Sequence, residues 1–287
     1  AAAQKVLEEA VLAFVQHWIE HTAIRDVVVA GGIFANVKLN QRIVALPSVE
    51  SLWVMPHMGD GGLAVGGALG SAGATPAPTD NVFWGTDADA KSIRRALSVA
   101  GLSKRKTDNI HERVADVLAE GKVVARCAGG MEWGPRALGN RSILAAPFDR
   151  SINDWLNEML QRSEFMPFAP VIREEDVDRW FIGSNKASEA ARFMTVCFDA
   201  TRAFREQCPA AVHVDGTARP QLVRASEHPD LHQVLTLFGE KTGTPVLINT
   251  SFNMHEEPMV RTPTDAIRAW RTSGIPALWL GPHLLSQ

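Results

Sequence analysis

Arg136 and Arg141 stand five positions apart in a stretch punctuated by Gly134, Pro135 and Gly139. Turn residues at that density make a rigid loop, and a rigid loop can present guanidinium forks to carboxylate or phosphate. Glu132 in the same stretch offers the opposing reading, an internal Arg–carboxylate pair. Further on, His213, Asp215 and Arg219 surround Gly216, while Asn249, Ser251 and Asn253 follow the apolar run 245–248. The amide and hydroxyl groups of that second set are expected at the carboxyl end of a strand, where open α/β sheets bind ligands. An Asx or ST turn leaves the same letters. His213 read as a core histidine, and Asp215 paired with Arg219, are equally open. Gly31 and Gly32, with Asn36 close behind, lie between a strand-like run and a helix-like one. Backbone amides there can approach a phosphate, and the helix dipole favours the charge. A plain strand–helix turn is the alternative. Asp60 stands among Gly59, Gly61 and Gly62. Its carboxylate is free to reach a metal or to cap the helix that follows. One Asp does not hold a metal, since catalytic sites use about three protein ligands.

These residues need a scaffold, and the composition supplies one. With 287 residues the chain has room for about two domains. Hydrophobic residues at 46% against 21% charged residues provide real cores and exclude disorder. A net charge of -3 argues against a broad nucleic-acid surface, so no nucleic-acid partner is expected. Cys127, Cys197 and Cys208 are too scattered for a disulfide framework, which suits a reduced, cytoplasmic protein. No run approaches the roughly 18 apolar residues of a membrane span, and no signal peptide is visible, so no membrane partner is expected.

Apolar periodicity predicts a helix over 1–22, a strand over 27–30, a helix over 33–46, a strand over 52–55 and a helix over 63–69. That alternation is the grammar of an α/β layer. Residues 71–80 read as a linker, so a second domain should begin near Asn81. Within it helices are expected over 88–102, 111–120, 151–162, 228–242 and 264–272. Strands are expected over 123–126, 245–248 and 278–280, with 193–198 extended.

The stretches GGIFANVKLNQRI, PHMGDGGLAVGGAL, MEWGPRALGNRSILA, EFMPFAP, HVDGTARPQLV and NTSFN, in this order, resemble the nodulation and antibiotic-biosynthesis O-carbamoyltransferases. Those proteins are about twice as long, so the resemblance implies a piece of a longer chain. It implies an α/β (α+β) fold in which residues 1–75 end an actin-like ATPase domain. Residues 76–287 would form a YrdC-like domain with a twisted mixed sheet. It implies a reaction in which carbamoyl phosphate and ATP give carbamoyl adenylate, whose carbamoyl group passes to a hydroxyl of a small-molecule acceptor. Mg2+ would accompany ATP. Fe2+ or a similar ion would act in the whole protein, with Asp60 as one ligand and the others upstream of this chain.

Carbamoyl phosphate and ATP are compact anions, so an arginine-lined cavity is the expected container. Arg136, Arg141, Arg162 and Arg219 are its candidates, with His213 and Asp215 positioning carbamate or magnesium. Ser142, Asn249 and Ser251 would add neutral hydrogen bonds, and Gly31, Gly32 and Asn36 would form the nucleotide-phosphate turn. A homodimer is among the assemblies considered. An RNA-binding YrdC-like module and a non-catalytic interaction domain are the competing readings. Two positions depart from the family pattern: Gly130 stands where an Arg is common, and Glu256 where a Gly is common.

Overall fold

The computed structural model describes residues 2–73, 79–160 and 168–287. The protein is a mixed α/β structure. Helix α1 (Ala2–Thr22) leads into strand β1 (Asp26–Val29), helix α2 (Val37–Val44), strand β2 (Ser51–Val54) and helix α3 (Asp60–Ala72). Strands β1 and β2 pair in parallel, with α2 as the crossover. The helix expected over 33–46 is split. Residues Gly32–Ala35 form a 3-10 turn, and Asn36 then caps α2 by accepting from the Leu39 amide at 3.1 Å. Asparagine competes with the helix interior for backbone donors and so settles at its start. The helix expected from residue 63 begins at Asp60, because Gly59 serves as its N-cap.

The larger part contains β3 (Asp87–Ala88), α4 (Ala90–Val99), α5 (Ile110–Ala119), β4 (Val124–Cys127), β5 (Gly129–Gly130), β6 (Arg141–Ala145), α6 (Ser151–Met159) and β7 (Ala169–Arg173). Next come α7 (Val177–Trp180), β8 (Phe181–Ile182), α8 (Ser188–Ala191), β9 (Phe198–Ala200), α9 (Arg202–Gln207), β10 (Thr217–Ala218) and β11 (Gln221–Val223). The chain closes with α10 (Pro229–Thr242), β12 (Val246–Ser251), α11 (Pro263–Ser273), β13 (Ala277–Leu280) and β14 (His283–Ser286).

Seven strands form one mixed sheet in the order β11-β7-β12-β6-β4-β13-β14. The pairs β11–β7 and β4–β13 are parallel, the edge strand β14 is antiparallel to β13, and β12 and β6 pair antiparallel with each other and with β7 and β4. Side chains alternate faces along each strand. Val124, Leu144, Val171 and Leu247 pack under α5 and α10 with Leu118, Leu231, Val234 and Phe238. Ala125, Ile143, Ile172 and Ile248 face the other way, into the core shared with α4 and α11. A sheet buried on both faces explains why its strands read as short continuous apolar runs.

Strand β12 runs on through Asn249 to Ser251, so those groups lie within the strand and not beyond its carboxyl end. Phe193 and Met194 fall in a turn after α8, and the extended segment starts later than expected. Among the described residues no helix is long and apolar enough to cross a membrane. All three cysteines are free and buried.

Glu256 takes a left-handed backbone conformation, φ +59°, and is exposed. Holding a side chain there costs roughly 1–2 kcal/mol, which glycine avoids. Part of that gain is lost to the greater freedom of an unfolded glycine, so Glu256→Gly should stabilise by about 0.5–1 kcal/mol. A calorimetric scan should show Tm rising by about 2–3 °C.

Candidate functional site

The two parts meet along a seam made by α2 and the loop 56–58. Asn40, buried in α2, donates to the carbonyls of Phe34 at 2.8 Å and Thr195 at 2.7 Å. The Cys197 amide donates to the Val37 carbonyl, and Gln41 donates to Asp199. On the other flank the His57 ring rests on Trp133 with centroids 4.9 Å apart. Gly134 has φ +133°, a conformation other residues rarely adopt, and lies close against Pro56 and His57. The loop that carries Arg136 is thus docked on the first part of the chain.

That loop is organised by Glu132. One carboxylate oxygen, Oε1, accepts from the amides of Leu138 and Asn140 at 2.8 Å and of Arg141 at 3.1 Å. Glu132 is therefore the hub of the loop's backbone, not the partner of an arginine side chain. Asn249 and Gln221 fasten the loop from the sheet, with Asn249 donating to the Ala137 carbonyl at 3.2 Å and Gln221 to that of Leu138 at 2.7 Å. Ser142 accepts from the Gly139 amide at 2.8 Å. Both Asn249 and Ser142 thus position the turn.

Arg141 and Arg136, alike in sequence, separate completely. Arg141 begins β6 and shares a face with Ile143, opposite Ser142. It is fully buried, and its guanidinium donates to the carbonyls of Thr86, Ala128, Gly129, Asn140 and Arg261. With its donors spent on main-chain oxygens, it has none left for a ligand. The expected catalytic role of Arg141 is replaced by a structural one.

Arg136 and Arg219 behave in the opposite way. Neither makes a hydrogen bond or ion pair among the described residues, and the Nε of Arg136 is buried without a partner. Burial lowers the pKa of Arg136. Burial and then the charge of Arg136 itself push Arg219 down to about 10. Two partly buried guanidinium groups close enough to repel, neither answered by a carboxylate among the described residues, make a patch of uncompensated positive charge. Burying such charge is costly unless something pairs with it. Arg219 is held by the connection from β10 to β11, and so comes from a different element than Arg136.

The turn from His213 to Thr217 stands beside this pair. Gly216 adopts φ +79°, which lets its amide reach the His213 carbonyl at 2.9 Å while the His213 amide reaches Thr217 at 2.8 Å. Asp215 Oδ1 accepts from the Thr217 hydroxyl at 2.6 Å and amide at 3.1 Å, and Oδ2 accepts from Lys38 Nζ at 2.8 Å. Burial raises the Asp215 acid range, but Lys38 and Thr217 outweigh it and bring the group down to about 2. Both oxygens are engaged, which does not favour a magnesium role, and the expected Asp215–Arg219 pair is replaced by Lys38–Asp215. Sequence reasoning missed Lys38, an ordinary exposed lysine until the fold sets it against a residue 177 positions away.

The remaining candidates lie elsewhere. Gly31 and Gly32 are exposed, with the Gly31 amide donating to Met58 at 2.7 Å. Asn36 is the cap of α2 and exchanges hydrogen bonds with Gln4. Ser251 donates to Asn253 at 2.5 Å. Arg162, most of the EFMPFAP stretch and half of the 71–80 linker lie outside the described residues. Asp60 is exposed at the start of α3, and among the described residues no three His, Cys, Asp or Glu side chains converge. Asp60 by itself does not fit a metal, and no step of the reaction is routed through one. Gly130 is explained by packing, since a Cβ there would lie 2.3 Å from the Phe83 carbonyl. No arginine fits at that position.

His228 caps α10 and touches Arg126 Nη1 at 3.4 Å. Burial, then the charge of Arg126, pushes its pKa from 6.5 to about 3. The unfolded chain therefore takes up a proton that the folded one refuses between pH 6.5 and about 3. Stability from this group is intact above pH 6.5 and falls in acid by up to about 1.4 kcal/mol per pH unit. Urea midpoints measured from pH 7 to 5 should decline, and His228→Asn, which retains a capping side chain, should flatten the decline.

Fold and seam together define an α/β protein with two unpaired arginines, among the described residues, near where its two parts meet. The chain belongs to the carbamoyltransferase family: residues 1–69 match the carbamoyltransferase N-terminus and residues 115–287 the carbamoyltransferase C-terminus. Nodulation protein NolO of Bradyrhizobium diazoefficiens is 34% identical over 296 residues, covering all of this chain and 54% of the relative. Nodulation protein NolNO of Sinorhizobium fredii is 33% identical over all of this chain and 43% of its own length. The 3'-hydroxymethylcephem-O-carbamoyltransferase of Amycolatopsis lactamdurans is 33% identical over 88% of this chain and 47% of its own. The chain thus spans about half the length of the curated relatives it matches. Among solved structures, T. kodakarensis HypF aligns with 60% of this chain and 21% of its own at 16% identity and a TM-score of 0.42, too low to carry an argument.

Proposed function

We propose that this chain is the carbamoyl-activating portion of an ATP-dependent O-carbamoyltransferase. Residues 76–287 form the YrdC-like unit, and residues 1–75 end the actin-like unit that performs transfer. The neighbours Arg136 and Arg219, unpaired among the described residues, carry the reading, because a partly buried pair of like charges is an arrangement that an anionic ligand stabilises. Carbamoyl phosphate and the phosphates of ATP are such ligands. There carbamoyl phosphate yields carbamate and phosphate with water. A carbamate oxygen then attacks the α-phosphorus of ATP, and pyrophosphate leaves. Transfer of the carbamoyl group from the adenylate to an acceptor hydroxyl forms the carbamate ester and releases AMP. Arg136 and Arg219 hold the phosphate oxygens and offset charge as it moves. The acceptor is a small molecule bearing a hydroxyl, such as a sugar, a nodulation factor or an antibiotic. The relative named for a hydroxymethylcephem supports that class.

The test is pyrophosphate release by this chain when ATP and carbamoyl phosphate are both supplied, with calorimetry of carbamoyl phosphate alone beside it. Release that needs both substrates is the expected result. Absence of any phosphate binding would remove the reading.

A further inference from the structure

The side chains around His213 fix where its proton sits. Asp215, ionised by Lys38, can only accept, so the hydroxyl of Thr217 spends its one hydrogen on Asp215 Oδ1 at 2.6 Å. The Thr217 oxygen is also 3.1 Å from His213 Nδ1 and has no hydrogen left to give in that direction. His213 Nδ1 must therefore be the donor. The neutral ring carries its hydrogen on Nδ1 and keeps a bare lone pair on Nε2, a tautomer assigned from this network of hydrogen bonds. No hydrogen bond reaches Nε2 among the described residues. Burial first, and the charges of Arg219 and Lys38 after it, hold the ring's pKa below 6.5 against the opposing pull of Asp215, so the neutral form prevails at pH 7.

We infer that His213 Nε2 is the acceptor that recognises the amino group of carbamoyl phosphate, and that the chain Lys38–Asp215–Thr217 is what keeps that acceptor in place. The inference rests on the proposed function, because it places the ligand's phosphate on Arg136 and Arg219. It adds a source of selectivity. Every other charged group facing His213 is Arg219, Lys38 or Asp215, and the two cations cannot accept a hydrogen bond while Asp215 is already occupied. Acetyl phosphate has the same shape as carbamoyl phosphate but carries a methyl group where the amino group stands. A methyl group would leave that lone pair without the hydrogen bond that an amino group gives. Sites built around such a hydrogen bond reject the analogue lacking it far more strongly than an apolar pocket rejects a size change. Lys38 and Thr217 are positioning residues here, and His213 is the group that touches substrate.

The experiment compares calorimetric affinities of this chain for carbamoyl phosphate, acetyl phosphate and inorganic phosphate at pH 7.5. The expected result is carbamoyl phosphate at least about 10-fold tighter than acetyl phosphate. His213→Ala should bring the two within about 2-fold while inorganic phosphate still binds, which also reports that the variant is folded. His213→Gln, whose side-chain oxygen can accept, should recover part of the preference. Thr217→Val should lose part of it by freeing the tautomer, with inorganic phosphate again unaffected. Equal wild-type affinity for the two acyl phosphates, or a preference that survives His213→Ala, would overturn the role of His213 and leave the cationic site standing. A wild-type chain that binds none of the three overturns the cationic site and this inference with it.

Discussion

Arg219→Ala should abolish carbamoyl-phosphate-dependent pyrophosphate release while leaving the protein folded, with Tm unchanged or slightly higher. The charge removed is partly buried, has no carboxylate partner among the described residues and is repelled by Arg136. In the empty protein it is a burden, because a desolvated cation beside a second cation is repelled rather than stabilised. With a phosphate bound the balance reverses, since each guanidinium then makes charge-assisted hydrogen bonds worth about 1.5–3 kcal/mol. Losing one member of the pair should weaken phosphate binding by about 10- to 100-fold. Arg219→Lys should recover only part, because an ammonium is a point charge without the planar fork. Phosphate binding and the thermal midpoint, measured on the same samples, decide the matter. A folded Arg219→Ala protein that binds phosphate as tightly as wild type would contradict the proposed role.

Arg141→Ala should give the opposite outcome, a protein too unstable to assay. The guanidinium of Arg141 joins carbonyls from the 86 region, the 128–129 turn, the 140 loop and residue 261. Its removal opens a cavity and strips donors from several buried oxygens at once. Each oxygen left without a donor costs about 1–3 kcal/mol, less where another bond remains. A loss of roughly 4 kcal/mol is expected, large enough to threaten a marginally stable fold. Urea unfolding should show a sharply lowered midpoint, and Arg141→Lys should not restore it, because three donors cannot replace a five-donor fork. A well-folded Arg141→Ala protein without activity would return Arg141 to the list of ligand-binding groups.

The contrast between these two arginines marks what the amino-acid sequence could tell. Both stand in one loop, both belong to a resemblance that gives them equal weight, and their residue type predicts one chemistry. Alternation along β6 separates them, and β6 itself was invisible because it opens on Arg141 and Ser142 rather than on an apolar run. Strands β1, β2, β4 and β13, by contrast, were legible from branched and aromatic residues in short blocks. The role of Gly130 was hidden for a different reason. A missing side chain looks like a lost charge until the Phe83 carbonyl is found where that side chain would start. Thr217 sat unremarked inside a motif already singled out, because a hydroxyl between an acid and an imidazole has meaning only once the distances are known.

Lys38 ties the behaviour of the C-terminal portion to a helix outside it. Among the described residues it is the only ammonium bonded to Asp215, so the ionic character of the HVDGT segment belongs to the assembled chain and not to its own letters. Cutting the polypeptide near residue 76 would leave the Asp215 carboxylate without Lys38, next to the proposed anion site. The excised piece would retain Arg136, Arg219 and His213 beside one more uncompensated negative charge, and should bind phosphate more weakly than the whole chain. Modularity, which family boundaries drawn at residue 69 and residue 115 invite one to assume, ends where α2 reaches across.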